Sequence, residues 1–174
     1  MEKDLSKALL VIDLQNDYFP GGNFPLWNAE ETLAQVEKAI CRAGDLEIPV
    51  ILVQHVVNAG AAAFFGKGTA GVEIHPRILA AANGAPLIVK GHADAFRETN
   101  LEETLALLGT TELFVCGMMT QNCVTHTAIS RSAEKYEVTV LADCCTTVDE
   151  MIHKIALGAL SDRVGLVPWS DAFC

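Results

Sequence analysis

The sequence predicts a three-layer α/β/α domain built on a doubly wound, six-stranded parallel sheet. Short runs rich in Val, Ile and Leu alternate with segments of helical spacing, which is typical of parallel sheets covered on both faces. The crossovers between parallel strands are right-handed, and this places the helices on the two faces of one sheet. A chain of 174 residues, of which 51% are hydrophobic, is expected to form one hydrophobic core. We therefore predict a single domain over residues 1–174.

The individual elements follow from the spacing of apolar residues. Five runs fit strands that are buried on both faces, and a sixth, weaker run completes the sheet: 8–12, 50–54, 87–89, 113–116, 138–141 and 164–167. Four segments have helical spacing: 29–43, 101–108, 123–135 and 148–160. Asn28 and Asn100 are candidate N-caps for two of them. The segment 57–76 is too rich in Gly and Ala to specify a regular element, so we predict a long loop there, of a length that is usually functional or disordered.

The charge balance limits the partners. Lys and Arg number 12 against 22 Asp and Glu, so the net charge is -10. This charge repels phosphate backbones and anionic bilayers, and we expect neither a nucleic acid nor a membrane partner. The first five residues carry no basic region, which predicts a cytoplasmic protein. The six cysteines show no zinc-type or C-x-x-C pairing and are expected to be free thiols.

Two charged residues directly follow apolar runs. Ligands of parallel sheets gather beyond the C-terminal ends of the strands, and Asp13 and Lys90 occupy two such positions. Asp13 is also compatible with a loop cap, and Lys90 is compatible with a side chain that reaches solvent at the sheet edge. Because a buried carboxylate and a buried ammonium stabilise each other's charged states, the two together favour a functional pair.

Cys123 lies where the fourth strand gives way to a helix that is expected to begin near residue 121. Free N–H groups and the helix dipole at such a position favour a thiolate. The same turn offers the backbone N–H groups of Met119 and Cys123 as a candidate oxyanion hole. A small buried hydrophobe is the alternative for any cysteine, and it is the interpretation adopted for Cys41, Cys116, Cys144 and Cys145. Cys174 is expected to be exposed.

These residues together resemble the isochorismatase-like cysteine hydrolases, which include nicotinamidases and other small-amide hydrolases. The resemblance covers about residues 9–167. It rests on D-L-Q-N-D-Y-F beginning at Asp13, on Lys90 after the third strand and on G-M-M-T-Q-N-C ending at Cys123, with support from 68–76. It implies that Asp13 is the general base, that Lys90 orients and supports the pair, and that Cys123 attacks the carbonyl. It also implies a cis peptide at Met118–Met119 and assembly into dimers or larger oligomers.

The resemblance departs from the metal-binding nicotinamidases after the second strand. Those proteins have an Asp-x-His pattern there, whereas Gln54-His55 supplies one histidine and no aspartate, and only His75 matches a further member of the set. A metal held by N and O ligands needs about three convergent groups, so we predict neither a metal nor another cofactor. Gln54 and His55 are predicted to contact substrate, with a strand cap as the alternative.

The remaining pocket residues are aromatic or charged. Phe19, Trp27 and Phe96 are candidate substrate contacts, and a core role is the alternative for each. Asp94 stands where many relatives have Ser, and an acid near the pocket mouth would disfavour anionic substrates. Three lone histidines are expected to be solvated or hydrogen-bonded in place: His92, His126 and His153.

The sequence therefore predicts a cysteine-dependent hydrolase of a small amide, ureide or carbamoyl compound, acting through a thioester. Isochorismatases proper cleave a vinyl ether and lack the nucleophilic cysteine, so Cys123 favours amide hydrolysis. One alternative is a catalytically silent oligomeric scaffold or ligand-binding module of the same fold. Another is a thiol redox sensor that uses Cys123 or the adjacent Cys144 and Cys145. A reactive Cys123 is expected to be labelled by iodoacetamide much faster than the other thiols.

Overall fold

The computed structural model of the protein describes residues 6–174, so the first five residues, which carry part of the expectation of a cytoplasmic location, lie outside it. The described residues form one six-stranded parallel sheet, and the predicted fold is confirmed. Its strands are β1 (Lys7–Ile12), β2 (Val50–His55), β3 (Leu87–Lys90), β4 (Glu112–Met118), β5 (Glu137–Thr146) and β6 (Gly165–Val167). The helices are α1 (Ala29–Asp45), α2 (Pro76–Ala81), α3 (Leu101–Leu107), α4 (Thr125–Ala128), α5 (Glu150–Leu160) and α6 (Trp169–Ala172).

The order of the strands across the sheet is β3-β2-β1-β4-β5-β6. The chain therefore adds β2 and β3 on one side of β1 and then β4, β5 and β6 on the other. Strand β1 is buried along nearly its whole length and pairs with both β2 and β4. Helix α1 packs across the sheet and against α2 and α6, whereas α4 and α5 pack against β5. With right-handed crossovers, these two groups of helices cover opposite faces. The C-terminal ends of β1 and β4 therefore flank the switch point, where doubly wound sheets bind ligands.

Two elements differ from the prediction. Strand β3 is not buried on both faces: Leu87 and Val89 are exposed, because β3 is an edge strand and alternates between a covered and an open face. The single helix predicted over 123–135 is divided into a π-helical turn (Thr120–Val124), α4 and a 3-10 turn (Arg131–Lys135). Ser130 begins the 3-10 turn as its N-cap, since its hydroxyl accepts from the N–H of Ser132.

Asn28 and Asn100 occupy the predicted N-cap positions of α1 and α3, but their side chains do not cap these helices. Asn28 adopts a left-handed conformation with φ of 54°, and neither Asn28 nor Asn100 makes a side-chain cap hydrogen bond. Asp149 instead caps α5 by accepting from the N–H of Ile152 at 2.9 Å. Helices α2 and α6 were not predicted; α2 begins inside the irregular segment at Pro76, a residue that suits the first turn of a helix.

The cysteines follow the prediction with one exception. All six are free thiols; Cys116, Cys144 and Cys145 are buried and Cys174 is exposed, as expected. Cys41 is exposed rather than buried, because it lies on the outer side of α1 while Ile40 beside it faces the core. No helix within residues 6–174 is long and apolar enough to cross a membrane.

Gly117 lies on β4 at a close backbone approach to β1. Its φ is 123°, and a Cβ there would lie 2.0 Å from the carbonyl oxygen of Ile12. We expect Gly117→Ala to lower the free energy of unfolding by about 2 to 4 kcal/mol, measured by urea denaturation, because both the left-handed backbone and the overlap oppose it. Gly158 in α5 is the control, since a Cβ there meets nothing within 4 Å. Gly158→Ala is expected to be neutral or stabilising by up to about 1 kcal/mol, and equal effects of the two changes would contradict the argument.

Candidate active site

Three side chains from the C-terminal edge of the sheet meet between β1 and β4. The Nζ of Lys90 lies 3.0 Å from Oδ2 of Asp13 and 3.2 Å from Sγ of Cys123. Lys90 ends β3, two strand spacings (about 10 Å) from β1, a span that its long side chain can largely cover. Asp13 is fully buried, and Lys90 and Cys123 are each 2% exposed. The structure thus brings together the three residues predicted to form a catalytic group.

Asp13 is held by its backbone and leaves its carboxylate open. Its φ of 55° is in the left-handed region, and its N–H donates to the carbonyl oxygen of Val53. Within residues 6–174, neither carboxylate oxygen accepts a well-aligned hydrogen bond; the contact with Lys90 is an ion pair without that alignment. Buried polar atoms almost always have a hydrogen-bond partner. A buried carboxylate without one is suited to accept a proton.

Cys123 is a thiol in the resting site. Burial raises the pKa of the Cys123 thiol, the charge of Asp13 raises it further, and the opposing effect of Lys90 is smaller. The predicted thiolate is therefore wrong, because burial and the adjacent carboxylate outweigh the position of Cys123 near the start of a helix. Its π-helical turn is also only five residues long. The sulfur becomes a thiolate only when Asp13 takes its proton, so fast labelling in the resting state is no longer expected.

Lys90 supplies the positive charge of the site. Burial lowers the pKa of Lys90, but Asp13 and the Cys123 sulfur raise it more, and the pKa ends above its ordinary value. The ammonium donates to Nδ1 of His55 at 2.8 Å and to the carbonyl oxygen of His92 at 3.0 Å, as well as to Cys123. These acceptors use all three of its protons. The cation is fixed in place and has no proton left for another anion.

The turn after β4 carries the candidate oxyanion donors. The peptide between Met118 and Met119 is cis, as the resemblance implied. The N–H groups of Asn122 and Val124 both donate to the carbonyl oxygen of Met119 and close the turn. The N–H of Met119 itself donates to no protein acceptor in the described part of the chain. It is therefore available to a ligand, as an oxyanion hole requires.

A metal ion does not fit this site. Ligand atoms of Asp13, His55 and Cys123 lie within 4.8 Å of one another, a spacing that could hold a metal. However, the Lys90 ammonium is within 2.8 to 3.2 Å of the same three side chains. A divalent cation and an ammonium cannot share that position. His75 is also engaged elsewhere: its Nδ1 accepts from the N–H of Arg77, and its ring packs 4.6 Å from that of Phe19.

The predicted substrate contacts differ in whether they lie beside Asp13, Lys90 and Cys123. Of these residues, only His55 adjoins the catalytic group. The Gln54 amide nitrogen donates to the carbonyl oxygen of Val72 at 2.9 Å and so ties the loop to β2. Phe19 is buried against His75, and Phe96 is buried and stacks on Tyr136, so burial favours the core alternative for both rings. A substrate role for Phe19, Gln54 and Phe96 remains a prediction without support from these contacts.

The other polar residues singled out in the sequence have local partners. Asp94 accepts from the N–H of Phe96 at 2.9 Å and from the hydroxyl of Ser130 at 2.7 Å, so its carboxylate joins two segments. The expected repulsion of anionic substrates by Asp94 has no support in this arrangement. The lone histidines are hydrogen-bonded in place as predicted: His92 to Glu98, His126 to Asn122 and His153 to Thr120.

Two aromatic residues near the site were not predicted. Burial raises the pKa of the Tyr18 phenol, and the nearby charge of Asp13 raises it further. The Phe65 ring meets Tyr18 edge to face at 4.6 Å and lies 6.0 Å from the ring of His55. Tyr18 belongs to the D-Y-F stretch of the resemblance, a signal that could have identified it. Phe65 lies in the irregular loop, where no periodicity indicated its direction.

Asp17 fixes this aromatic wall. Its carboxylate is buried and accepts from the N–H of Phe65 at 2.7 Å and from the N–H of Asn23 at 3.0 Å. A Cβ on Gly71 would lie 2.0 Å from the same carboxylate, so the loop can approach only with glycine there. One buried carboxylate thereby joins three loop segments at the site.

The sulfur of Cys123 is enclosed, whereas Lys90 borders a cavity. A cavity of about 550 Å³ is lined by Phe19, Glu30 and His75 among others, and another of about 390 Å³ is lined by Gln54, Glu73 and Lys90 among others. Cys123 lines neither cavity.

The fold and this site define the class of protein. Residues 7–168 match the isochorismatase domain model, and members of that family are hydrolases. The chain is 34% identical over 179 residues to the uncharacterized isochorismatase family protein YddQ of Bacillus subtilis, covering 97% of this chain and 99% of the relative. The protein belongs to the isochorismatase family of hydrolases.

Two further comparisons agree. A solved structure from Oleispira antarctica, assigned as an isochorismatase hydrolase, superposes with a TM-score of 0.88 at 31% identity and covers 99% of this chain and 98% of its own. Nicotinamidase 3 of Arabidopsis thaliana is 29% identical over 163 residues, which are 86% of this chain and 78% of that protein. The similarity thus extends to a relative whose name states amide hydrolysis.

Proposed function

We propose that the protein is a cysteine-dependent amidohydrolase that cleaves a small amide, ureide or carbamoyl compound through a thioester. The observation that carries the proposal is the buried contact of Lys90 with both Asp13 and Cys123. It brings a carboxylate base, a fixed cation and a sulfur nucleophile within reach of one another. A structural ion pair alone does not need the cysteine.

Acylation begins with a proton transfer. Asp13 takes the thiol proton of Cys123, and the Lys90 ammonium stabilises the thiolate as it forms. The sulfur attacks the amide carbonyl carbon, and the C=O electron pair moves onto oxygen. The N–H groups of Met119 and Cys123 are the proposed donors to that oxyanion. The C–N bond then breaks, and Asp13 returns the proton to the leaving ammonia or amine.

Deacylation uses the same carboxylate. Asp13 takes a proton from water, the hydroxide attacks the thioester carbon, and the C–S bond breaks. The acid is released and the proton returns to the sulfur, so the thiol and the carboxylate are regenerated. Two moderate barriers thereby replace one high barrier.

The surroundings of the site support a small, uncharged substrate. The rings of Tyr18 and Phe65 pack together beside His55, and the protons of Lys90 are already donated within the protein. We propose a cytoplasmic enzyme whose partner is this small molecule rather than nucleic acid or membrane. We also propose a homo-oligomer, because α5 leaves Met151 67% and Ile155 64% exposed on a mostly apolar helix.

A thiol redox sensor is less well supported. Burial raises the pKa of the Cys145 thiol to about 12 and also raises those of Cys116 and Cys144. Oxidation of a cysteine follows its thiolate fraction and its exposure. These buried thiols therefore lack both properties of a sensor.

Ammonia release tests the proposal. We expect the wild type to release ammonia from at least one member of a panel comprising nicotinamide, pyrazinamide, maleamate, biuret, ureidoacrylate and N-carbamoyl amino acids. Cys123→Ala should abolish this release, because no other group can form the thioester, and mass spectrometry of quenched wild type should detect the acyl adduct. Cys41→Ala is the control for thiol loss, since Cys41 is exposed on α1. Ammonia release that persists in Cys123→Ala would refute the mechanism, and binding without turnover would favour a ligand-binding module.

A further inference from the structure

His55 occupies a defined position beside the proposed nucleophile. It is the last residue of β2, and a ring nitrogen lies within 4.8 Å of both the Cys123 sulfur and a carboxylate oxygen of Asp13. Its N–H donates to Oε1 of Gln15 at 2.8 Å, and its carbonyl oxygen accepts from Nε2 of the same side chain at 2.8 Å. These two backbone hydrogen bonds fix the root of the His55 side chain.

The contact with Lys90 sets the tautomer of His55. An ammonium has only donors, so Nδ1 of His55, 2.8 Å from Nζ of Lys90, must accept and carry no proton. Burial lowers the pKa of His55, and the charge of Lys90 lowers it further, so the ring is neutral near neutral pH. A neutral imidazole whose Nδ1 is unprotonated carries its proton on Nε2.

The resulting Nε2–H has no protein partner. Nδ1 is the ring nitrogen of His55 that is hydrogen-bonded within residues 6–174, whereas the other lone histidine rings are bound to Glu98, Asn122 and Thr120. His55 is half-buried, and its Nε2 is not among the fully buried polar atoms that lack a partner, so this nitrogen is accessible from outside the protein. The site therefore holds an oriented, uncharged donor next to the attacking sulfur.

We propose that Nε2–H of His55 donates a hydrogen bond to a neutral acceptor of the substrate, so that the site selects uncharged amides bearing an oxygen or nitrogen acceptor near the scissile carbonyl. This rests on the proposed function, because it names the substrate class of the same site. A substrate carboxylate gains little here, since the Lys90 protons are already donated to His55, His92 and Cys123. An amide without an acceptor leaves the donor of His55 unpaired, which weakens its binding.

The test compares four amides that differ only in a ring nitrogen. Benzamide has no ring acceptor, and picolinamide, nicotinamide and isonicotinamide place one at three positions. Dissociation constants are measured by titration calorimetry in the Cys123→Ala background, where turnover cannot interfere. We expect at least one pyridine isomer to bind about five- to tenfold more tightly than benzamide, the size of one neutral hydrogen bond.

Two substitutions isolate the donor. His55→Asn keeps an acceptor close to Lys90 but has no distal N–H, and it should reduce the preference to within about twofold of unity. His55→Gln places an amide N–H near the position of Nε2 and should retain at least half of the preference. An equal affinity for all four amides, or a preference unchanged in His55→Asn, would overturn the proposal.

A spectroscopic measurement on the wild type is independent of binding and turnover. Long-range ¹H–¹⁵N correlation of the histidine rings should identify the Nε2–H tautomer of His55, assigned by its absence in His55→Asn. A proton found on Nδ1 would overturn the proposal even if the enzyme is active. Loss of all hydrolysis in wild type, with the tautomer and the binding preference intact, would refute the proposed function and not the role of His55.

Discussion

Replacing Asp13 with asparagine is expected to lower kcat by about 100- to 10,000-fold, the usual contribution of a positioned general base. Asparagine matches the size of aspartate, but its neutral amide cannot take the proton of Cys123. The thiol has a raised pKa, so without a base almost none of it ionises near neutral pH. Steady-state ammonia release, measured on the best substrate of the panel, checks the expected loss.

The control is a surface carboxylate. Asp162 is exposed in the loop after α5, and Asp162→Asn should retain wild-type kcat. Far-UV circular dichroism of both variants should match the wild type. If Asp13→Asn retained more than about one tenth of kcat, the thiol proton would have to leave by another route.

The second large effect is on stability. Lys90→Met should lower the free energy of unfolding by about 3 to 5 kcal/mol, because it removes one partner of a buried ion pair and leaves the carboxylate of Asp13 without a counter-charge. Urea denaturation at pH 7 measures it. Lys135→Met is the matched control, since Lys135 pairs with Glu102 on the surface and its loss should leave the midpoint nearly unchanged.

Two further measurements identify the cause of that loss. Asp13→Asn combined with Lys90→Met should recover part of the stability, because no uncompensated charge remains.

The pKa of Lys90 is raised in the folded protein. The contribution of Lys90 to the free energy of unfolding is therefore fully present below its unfolded pKa of about 10.4 and declines as the pH rises through the folded pKa. The difference between wild type and Lys90→Met should therefore shrink above about pH 10.4. A difference independent of pH would point to lost packing instead.

Much of the sheet could be predicted because its determinants are local and periodic. The apolar run of β1 is fully enclosed, and the rule that ligands bind at the switch point identifies Asp13 and Cys123 from the sequence alone. Lys90 could be included because its side chain is long enough to span the distance from β3. The observed strand ends, however, differ from the predicted ends by one or more residues wherever strand pairing continues beyond the apolar run. Strand β5, for example, extends to Thr146.

The features that were missed depend on contacts between distant segments. The sequence places Cys123 near a helix start, but the state of its thiol is decided by burial and by a carboxylate from another strand. Phe65 reaches the site only because Asp17, from a different loop, binds its N–H. The exposed face of β3 likewise follows from its place at the edge of the sheet, which no residue of β3 encodes.

The enclosure of Cys123 bears on how this protein can be inactivated. A sulfur that is 2% exposed and protonated reacts slowly with peroxide and with general electrophiles, both of which need an accessible thiolate. Activity should therefore outlast the oxidation of the exposed Cys41 and Cys174. A covalent inhibitor would have to enter as a substrate does and use Asp13 to generate the thiolate, so a nitrile or aldehyde analogue of the amide is a better starting point than a generic thiol reagent.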